Sequence, residues 1–268
     1  MKNLKLFLVA GLLTVSAPAF AQFLNPTNSG ATRQTNDSSK TTIATTKDKK
    51  DAKNNNGFTA IYAAYNPISI KTDADNTEDL NLTGFSLGYN AMGKLSGNLH
   101  FGMGLRFTYG YGKQDVPYLD DFWTYNNGTE SLSFKFKYSL LSIGMPISLG
   151  YNLTPNSSVS LIPYIGLNFK GVVPFTRKTE VENLPSWLTE DEFFEDYAGD
   201  IIKKEYDLTN EDEVTKDGKW KQFQLGWHVG CHLLYKALYL GVSYENDFTE
   251  LCKKTKMSQW TISIGYNF

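Results

Sequence analysis

The chain has 268 residues, 26 Lys or Arg against 28 Asp or Glu, a formal net charge of −2, and 17 Phe, 16 Tyr and 5 Trp beside 22 Gly. A mildly acidic balance excludes the basic footprint of a nucleic-acid-binding protein. No stretch beyond the N-terminus has the roughly 20 apolar residues of a spanning helix, but strands that cross a membrane with period two escape that test.

Residues 1 to 22 read MKNLKLFLVAGLLTVSAPAFAQ, with Lys2 and Lys5 ahead of an apolar run from Leu6 to Val15 and the small-residue triplet Ala19-Phe20-Ala21. This pattern predicts a secretory signal peptide over 1–21, cleaved between Ala21 and Gln22, with no Cys at the new terminus to accept a lipid. Residues 22–56 are dominated by Thr, Asn, Ser and Lys. They are expected to form a disordered periplasmic leader, since they hold little to bury.

From Gly57 the pattern changes to short alternating runs. In the third, Leu99, Phe101, Met103, Leu105, Phe107, Tyr109 and Tyr111 interleave with His100, Gly102, Gly104, Arg106, Thr108 and Gly110. Successive strand side chains point to opposite faces, so one face is apolar and the other small or polar. The same split recurs from Leu141 to Tyr151, from Phe223 to Leu233 and from Trp260 to Phe268. A soluble sandwich would carry Lys and Glu on its polar face. Gly, Ser, Asn and Thr suit a narrow lumen crowded by neighbouring strands.

Eight runs are expected, at 57–71, 80–94, 97–112, 131–153, 158–173, 219–235, 237–249 and 257–268. Short turns join the second to the third, the fourth to the fifth and the sixth to the seventh, and long polar segments join the rest. The fold class that follows is all-β: an eight-stranded antiparallel up-and-down transmembrane β-barrel over 57–268, with short periplasmic turns, long extracellular loops and both termini periplasmic.

The LLSIGMPISLGYNL run, the Gly-aromatic strands and the terminal WTISIGYNF resemble the outer-membrane β-barrel domain family common in Bacteroidetes-type bacteria, similar in architecture to small OmpX-like and PorT-like barrels. The resemblance covers Gly57 to Phe268 and implies location and assembly route, not an activity. In such proteins a last strand ending in an aromatic resembles the signal read by the barrel-assembly machinery. Trp260, Tyr266 and Phe268 would carry that signal here.

Candidate chemistry lies on the inward face. Arg106 is eight residues from Asn98, His228 eight before Lys236 and Glu245 eight after Ala237, so all three should share one height in the lumen. A charge in a narrow lumen needs a partner, which predicts an Arg106–Glu245 ion pair near His228. His228 and His232, four apart on a strand, are separated by about 13 Å, too far to share one metal ion. No metal or other cofactor is expected. Cys231 and Cys252 flank a hairpin on the order of 30 Å apart, which opposes a disulfide.

The segment from Arg177 to Asp217 holds fourteen Asp or Glu against five Lys or Arg. Within it Thr189 to Glu192 fits a capping box, followed by Phe193, Phe194, Tyr197 and Ile201 on helical spacing. Such a helix either folds over the barrel mouth or offers that face to a surface ligand or protein partner through the loop 174–218. The acidic tail from Asp207 to Asp217 lacks the Gly-centred spacing of a calcium loop. Aromatics near the strand ends predict two belts, with Tyr109, Tyr111, Tyr118, Trp123, Tyr125, Trp220 and Tyr244 outside and Tyr89, Tyr151, Tyr266 and Phe268 inside.

These patterns favour a side-chain-filled outer-membrane barrel with a structural, adhesive or surface-interaction role, partnered by lipid. A narrow channel or secretion accessory is the alternative, and a lipid-modifying enzyme the third reading. The enzyme reading suffers because His100, His228 and His232 are all expected in the lumen, away from any outer-loop nucleophile.

Overall fold

The computed structural model describes residues 57–268 except 74–78, 117–123, 126–129, 156, 199–202 and 211–218. The signal peptide and leader expected over 1–56, and the belt residues Tyr118 and Trp123, lie outside the described residues. The strands are β1 (Gly57–Thr72), β2 (Leu80–Ser96), β3 (Leu99–Asp115), the short pair β4 (Thr124–Tyr125) and β5 (Glu130–Ser131), β6 (Ser133–Tyr151), β7 (Val159–Glu182), β8 (Glu205–Asp207), β9 (Phe223–Tyr235), β10 (Leu238–Asp247) and β11 (Thr255–Asn267).

The eight long strands pair antiparallel, each with its chain neighbour, and β11 closes on β1 through Ala60↔Asn267 to Thr72↔Thr255. The result is an up-and-down barrel of eight strands. The first and last strands meet at closure, where the Phe268 amide donates to the Thr59 carbonyl at 2.9 Å. That end also carries the short turns, at Gly97-Asn98, 152–158 and Lys236-Ala237. Gly97 sits at φ +53, where a Cβ would be strained, so the tight β2–β3 turn needs glycine there.

Side-chain alternation runs opposite to that of a water-soluble protein over the middle of the wall. Outward residues are large and apolar: Leu87 is 67% exposed, Ile264 59% and Trp260 51%. Inward residues are Asn66, Ser86, Thr108, Ser142, Ser148, Thr261 and Ser263, all buried. Glycine makes the lumen narrow enough to fill. A Cβ on Gly88 would lie 2.3 Å from the Tyr62 ring, and one on Gly166 would lie 2.5 Å from His228 Nε2.

Toward the long-loop end β1 and β6 keep their inward parity but the chemistry of the two faces is exchanged. In β1 the inward side chains become Ile68 and Ile70 while Ser69 and Lys71 turn outward; in β6 Phe134 and Phe136 turn inward between Lys135 and Lys137. β6 keeps its even residues inward throughout; the irregularity opposite Leu140 and Ser142 puts one extra residue on β7, between Val172 and Phe175, and re-aims that strand so that its odd residues face inward beyond it. Beyond it the β6–β7 hairpin continues as a protruding ladder from Leu140↔Phe175 to Ser133↔Glu182, joined by β8 through Thr176↔Asp207. The expected end of the fifth run at 173 is thereby corrected. Cross-strand packing carries the strand nine residues further, to Glu182, into what the sequence reads as loop.

The lumen is closed at both ends by apolar side chains. At the short-turn end Phe58, Ala60, Tyr62, Met92, Ile162, Leu234 and Tyr239 pack together. At the long-loop end Ile68, Leu82, Leu140, Val172, Phe175, Leu208, Leu251 and Met257 form a second cluster, capped by Trp220 stacked on Phe175 at 4.1 Å. Trp220 therefore belongs to this plug rather than to an outer belt, because the mouth offers its ring more burial than the wall.

Candidate functional site

Between the two plugs lies a polar layer. Arg106, from β3, and Glu245, from β10, project inward from across the ring and form a bidentate pair. Arg106 Nη2 donates to Glu245 Oε2 at 2.6 Å and Nη1 donates to Oε1. Both side chains are nearly sealed from solvent, at 4% and 3% exposure. A buried carboxylate must have its lone pairs satisfied. Asn168 Nδ2 at 2.7 Å and Gln259 Nε2 at 2.9 Å donate to the same Oε2, and Arg106 Nη1 donates to Thr261 Oγ1 at 3.3 Å.

One layer closer to the long-loop plug, Lys170 Nζ lies 2.7 Å from Asp247 Oδ1 and 2.9 Å from Oδ2, with both side chains buried. The sequence reading missed this second pair. Its signal was present: Lys170 shares inward parity with Asn168 on β7, and Asp247 shares it with Glu245 on β10.

His228 is buried beside the Arg106–Glu245 pair and meets the Tyr164 ring edge-on at 5.6 Å, while its Nε2 has no hydrogen-bond partner among the described residues. His232 is held on all sides. Its Nδ1 bonds the Tyr239 hydroxyl at 3.0 Å, its Nε2 bonds Asn90 Nδ2 at 3.2 Å, and its ring stacks on Tyr164 at 4.1 Å. His100 Nδ1 lies 2.9 Å from the Asn98 carbonyl at the β2–β3 turn. The free space in this layer is about 30 Å³, lined by Tyr62, Arg106, His228 and Glu245 among others. That is room for one or two waters and no substrate. No cluster of three metal-ligating side chains occurs among the described residues, and Cys231 and Cys252 are both free thiols.

The protruding end is a different kind of site. Thr189 caps a single α-turn, α1 (Glu190–Glu192): its Oγ1 accepts from the Glu192 amide at 3.3 Å while Glu192 Oε2 accepts from the Thr189 amide at 3.0 Å. That backbone bond holds the Glu192 carboxyl below its usual range. Lys204 reaches across to Asp191 and Glu190, and the hydrogen bond to Asp191 raises its ammonium. The chain then tightens into a π-helical turn, Phe193–Ala198, instead of continuing as the α-helix the spacing predicts.

Phe193 and Phe194 are buried against Phe134, Phe136, Val116 and Leu132. The interaction face expected of them is corrected here: these rings are consumed in holding the turn onto the β6 extension, which is the more favourable fate for apolar area in water. The Tyr197 side chain and Ile201 lie outside the described residues. What the turn leaves outward is acidic, with Glu195 and Asp196, and nearby Trp187 is 69% exposed.

On the wall, Trp227, Tyr244 and Trp260 form a continuous aromatic row with ring centroids 5.8 and 5.1 Å apart. Tyr65 and Phe85 continue it at 5.8 Å, and Tyr109 meets Tyr111 at 6.4 Å. Tyr89, Tyr151, Tyr266 and Phe268 are exposed nearer the short-turn end. Trp260 thus lies in the first row, and Tyr266 and Phe268 touch at 5.1 Å in the second.

No protein-family model and no curated protein matches the chain. Solved structures similar to it include Ail, the attachment invasion locus protein of Yersinia pestis, at 15% identity and a TM-score of 0.37, covering 80% of this chain and 99% of that one. Neisserial surface protein A is similar at 12% identity and a TM-score of 0.36, covering 78% and 97%, and the outer membrane protein OprG from Pseudomonas aeruginosa at 10% and 0.30, covering 80% and 96%. The eight-strand ring itself stands on the chain's own ladder pairings.

Proposed function

We propose that this chain is an integral outer-membrane β-barrel with a closed lumen, whose role is structural, adhesive or surface-interacting and is carried by the β6–β7 extension with its capping turn. The observation that carries the reading is the reversed polarity of the wall. Soluble monomers rarely expose contiguous apolar patches beyond a few hundred Å². Here an apolar band bounded by aromatic rows faces outward around the ring while Arg106, Glu245, Lys170 and Asp247 face inward. Lipid is the solvent that makes this arrangement favourable, because a closed barrel satisfies every backbone group of the span internally.

The short turns and both ends of 57–268 then lie on the periplasmic side, and the extension with Trp187 faces outward. The terminal strand from Trp260 to Phe268 fits recognition by the barrel-assembly machinery. The two plugs and the ion-paired layer oppose conduction. The histidines oppose catalysis, since His232 has both ring nitrogens engaged and His228 faces a space of about 30 Å³.

Membrane fractionation with heat-modifiable gel mobility tests the barrel, and a soluble, unshifted band overturns it. Planar-bilayer recording of the purified protein is expected to give no reproducible steps, and steps would overturn the closed lumen. For the surface role, Trp187→Ala is expected to lower adhesion of expressing cells to an epithelial or matrix-coated surface while leaving the heat shift intact. Unchanged adhesion together with an unchanged heat shift would remove Trp187 from the proposed contact.

A further inference from the structure

The outward wall of β10, β11, β1 and β2 is graded in chemistry as it approaches the long-loop end. Tyr65, Phe85 and Ile262 form an apolar layer, and above it Tyr244, Trp260 and Pro67 stand abreast on β10, β11 and β1. Higher still, Ser69 is paired with Ser258 on one side and Asn81 on the other, so hydroxyl and amide groups stand abreast on three adjacent strands. At the top Lys71 is the direct cross-strand partner of Lys256. Successive layers are about 6–7 Å apart along the strand. A groove of about 460 Å³ runs through them, with Tyr65, Pro67, Ser69, Lys71, Asn81 and Trp260 in its lining. One layer deeper, a second groove of about 360 Å³ is walled by Ala63, Phe85, Leu87 and Phe107.

The lysine pair decides what the groove takes. Like charges directly opposite across a ladder are destabilising. Lys71 and Lys256 are both exposed, and the described acids beside them are Asp73, exposed two residues beyond Lys71, and Asp79. Asp79, at the base of β2, reaches only Lys71, at 3.6 Å, with 65% and 44% of the two side chains exposed. An anionic oxygen lying between the two ammonium groups relieves the repulsion. The hydroxyl and amide layer beneath offers hydrogen bonds to a polyhydroxylated ring, and the half-exposed Trp260 with Pro67 offers an apolar face for it to lie on. Phosphatidylglycerol supplies a phosphate and acyl chains but no such ring.

We propose that this groove binds one phosphorylated glycolipid of the outer leaflet. Its phosphate sits on Lys71 and Lys256, its sugar on Ser69, Ser258, Asn81 and Trp260, and an acyl chain lies along Ala63 and Leu87. This rests on the outer-membrane reading, so insertion is scored separately, by heat-shifted mobility after folding into phosphatidylcholine vesicles. Wild-type protein that fails to insert overturns the membrane reading and with it this one.

The binding test is native mass spectrometry of the folded barrel released from micelles, with three probes: phosphorylated lipid A, dephosphorylated lipid A and phosphatidylglycerol. One lipid A molecule per barrel is expected to be retained. Lys71→Gln with Lys256→Gln should weaken retention about thirtyfold, and Lys113→Gln, elsewhere on the rim, should leave it unchanged. Equal retention by the double variant in its heat-shifted form overturns the site. Equal retention of dephosphorylated lipid A removes the phosphate contact, and equal retention of phosphatidylglycerol replaces the glycolipid with a phospholipid, so either result overturns the proposal.

Discussion

The two halves of β6 are built from the same kinds of residue and arranged in opposite senses. From Leu141 to Tyr151 the apolar side chains point outward and Ser142, Gly144, Ser148 and Gly150 are buried. From Ser133 to Leu140 the apolar Phe134, Phe136 and Leu140 are buried while Lys135 and Lys137 face out, held by Glu182 and Glu180. A single irregularity separates them. Burial of apolar surface drives both halves, and which face counts as buried depends on the medium outside. On the outer-membrane reading proposed above, the lower half meets lipid and the upper half meets water, so the exchange of apolar and polar residues between the two faces marks the membrane boundary on the strand itself.

The sharpest way to break the lower half is from within. Arg106→Met leaves Glu245 charged in a sealed lumen and is expected to cost about 3–5 kcal/mol in urea unfolding from vesicles. The double variant Arg106→Met with Glu245→Gln should recover part of that loss. No recovery would mean that the pair acts through packing and not through charge.

Next in size, Leu87→Arg on the outward wall should cost about 2–4 kcal/mol in vesicles. Lys137→Leu, on the same outward face above the boundary, should change stability by less than about 0.5 kcal/mol. Similar costs for the two would deny that the media differ. Smaller still, Thr189→Ala removes one side of the capping box, worth ~1 kcal/mol. It should speed amide exchange from Glu190 to Ala198 while leaving exchange in β9 to β11 untouched.

The smallest effect is a pH dependence in the same turn. Glu192 has a depressed folded-state pKa because it accepts the Thr189 amide, so its contribution is present above the ordinary carboxylate pKa. It is lost as pH falls through the depressed value. Exchange at Phe193 and Phe194 should therefore rise on acidification before the barrel itself opens, and Glu192→Gln should flatten the dependence.

Much of the lower half was legible in advance. Period two and turn length are local properties, so the eight strands, their order and their inward parity follow from runs such as Leu99 to Tyr111. Antiparallel hairpins also convert residue counts into heights, which is why eight-residue offsets brought Arg106 and Glu245 to one level. The same arithmetic places Lys170 and Asp247 at one level, each two residues beyond Asn168 and Glu245 and inside the expected runs 158–173 and 237–249. The upper half was harder to read. Its inward residues Ile68 and Leu82 keep the parity of their strands but carry the apolar chemistry of the wall, Phe175 turns inward only through the extra residue on β7, and Phe193 and Phe194 fit either a lid or an exposed face.

The sequence by itself determined a closed eight-strand ring with its polar face inward, because strand parity needs no knowledge of distant neighbours. Only the tertiary structure decided how that ring is stoppered. It places Leu140, Phe175, Leu208 and Trp220 together from separate strands and a loop, buries Phe193 against Phe134, and sets Lys71 against Lys256 across the closing pair of strands. These contacts depend on the stagger with which the ring closes and on where apolar and polar residues exchange faces along each strand. Both are fixed by all the strands together and by none of them alone.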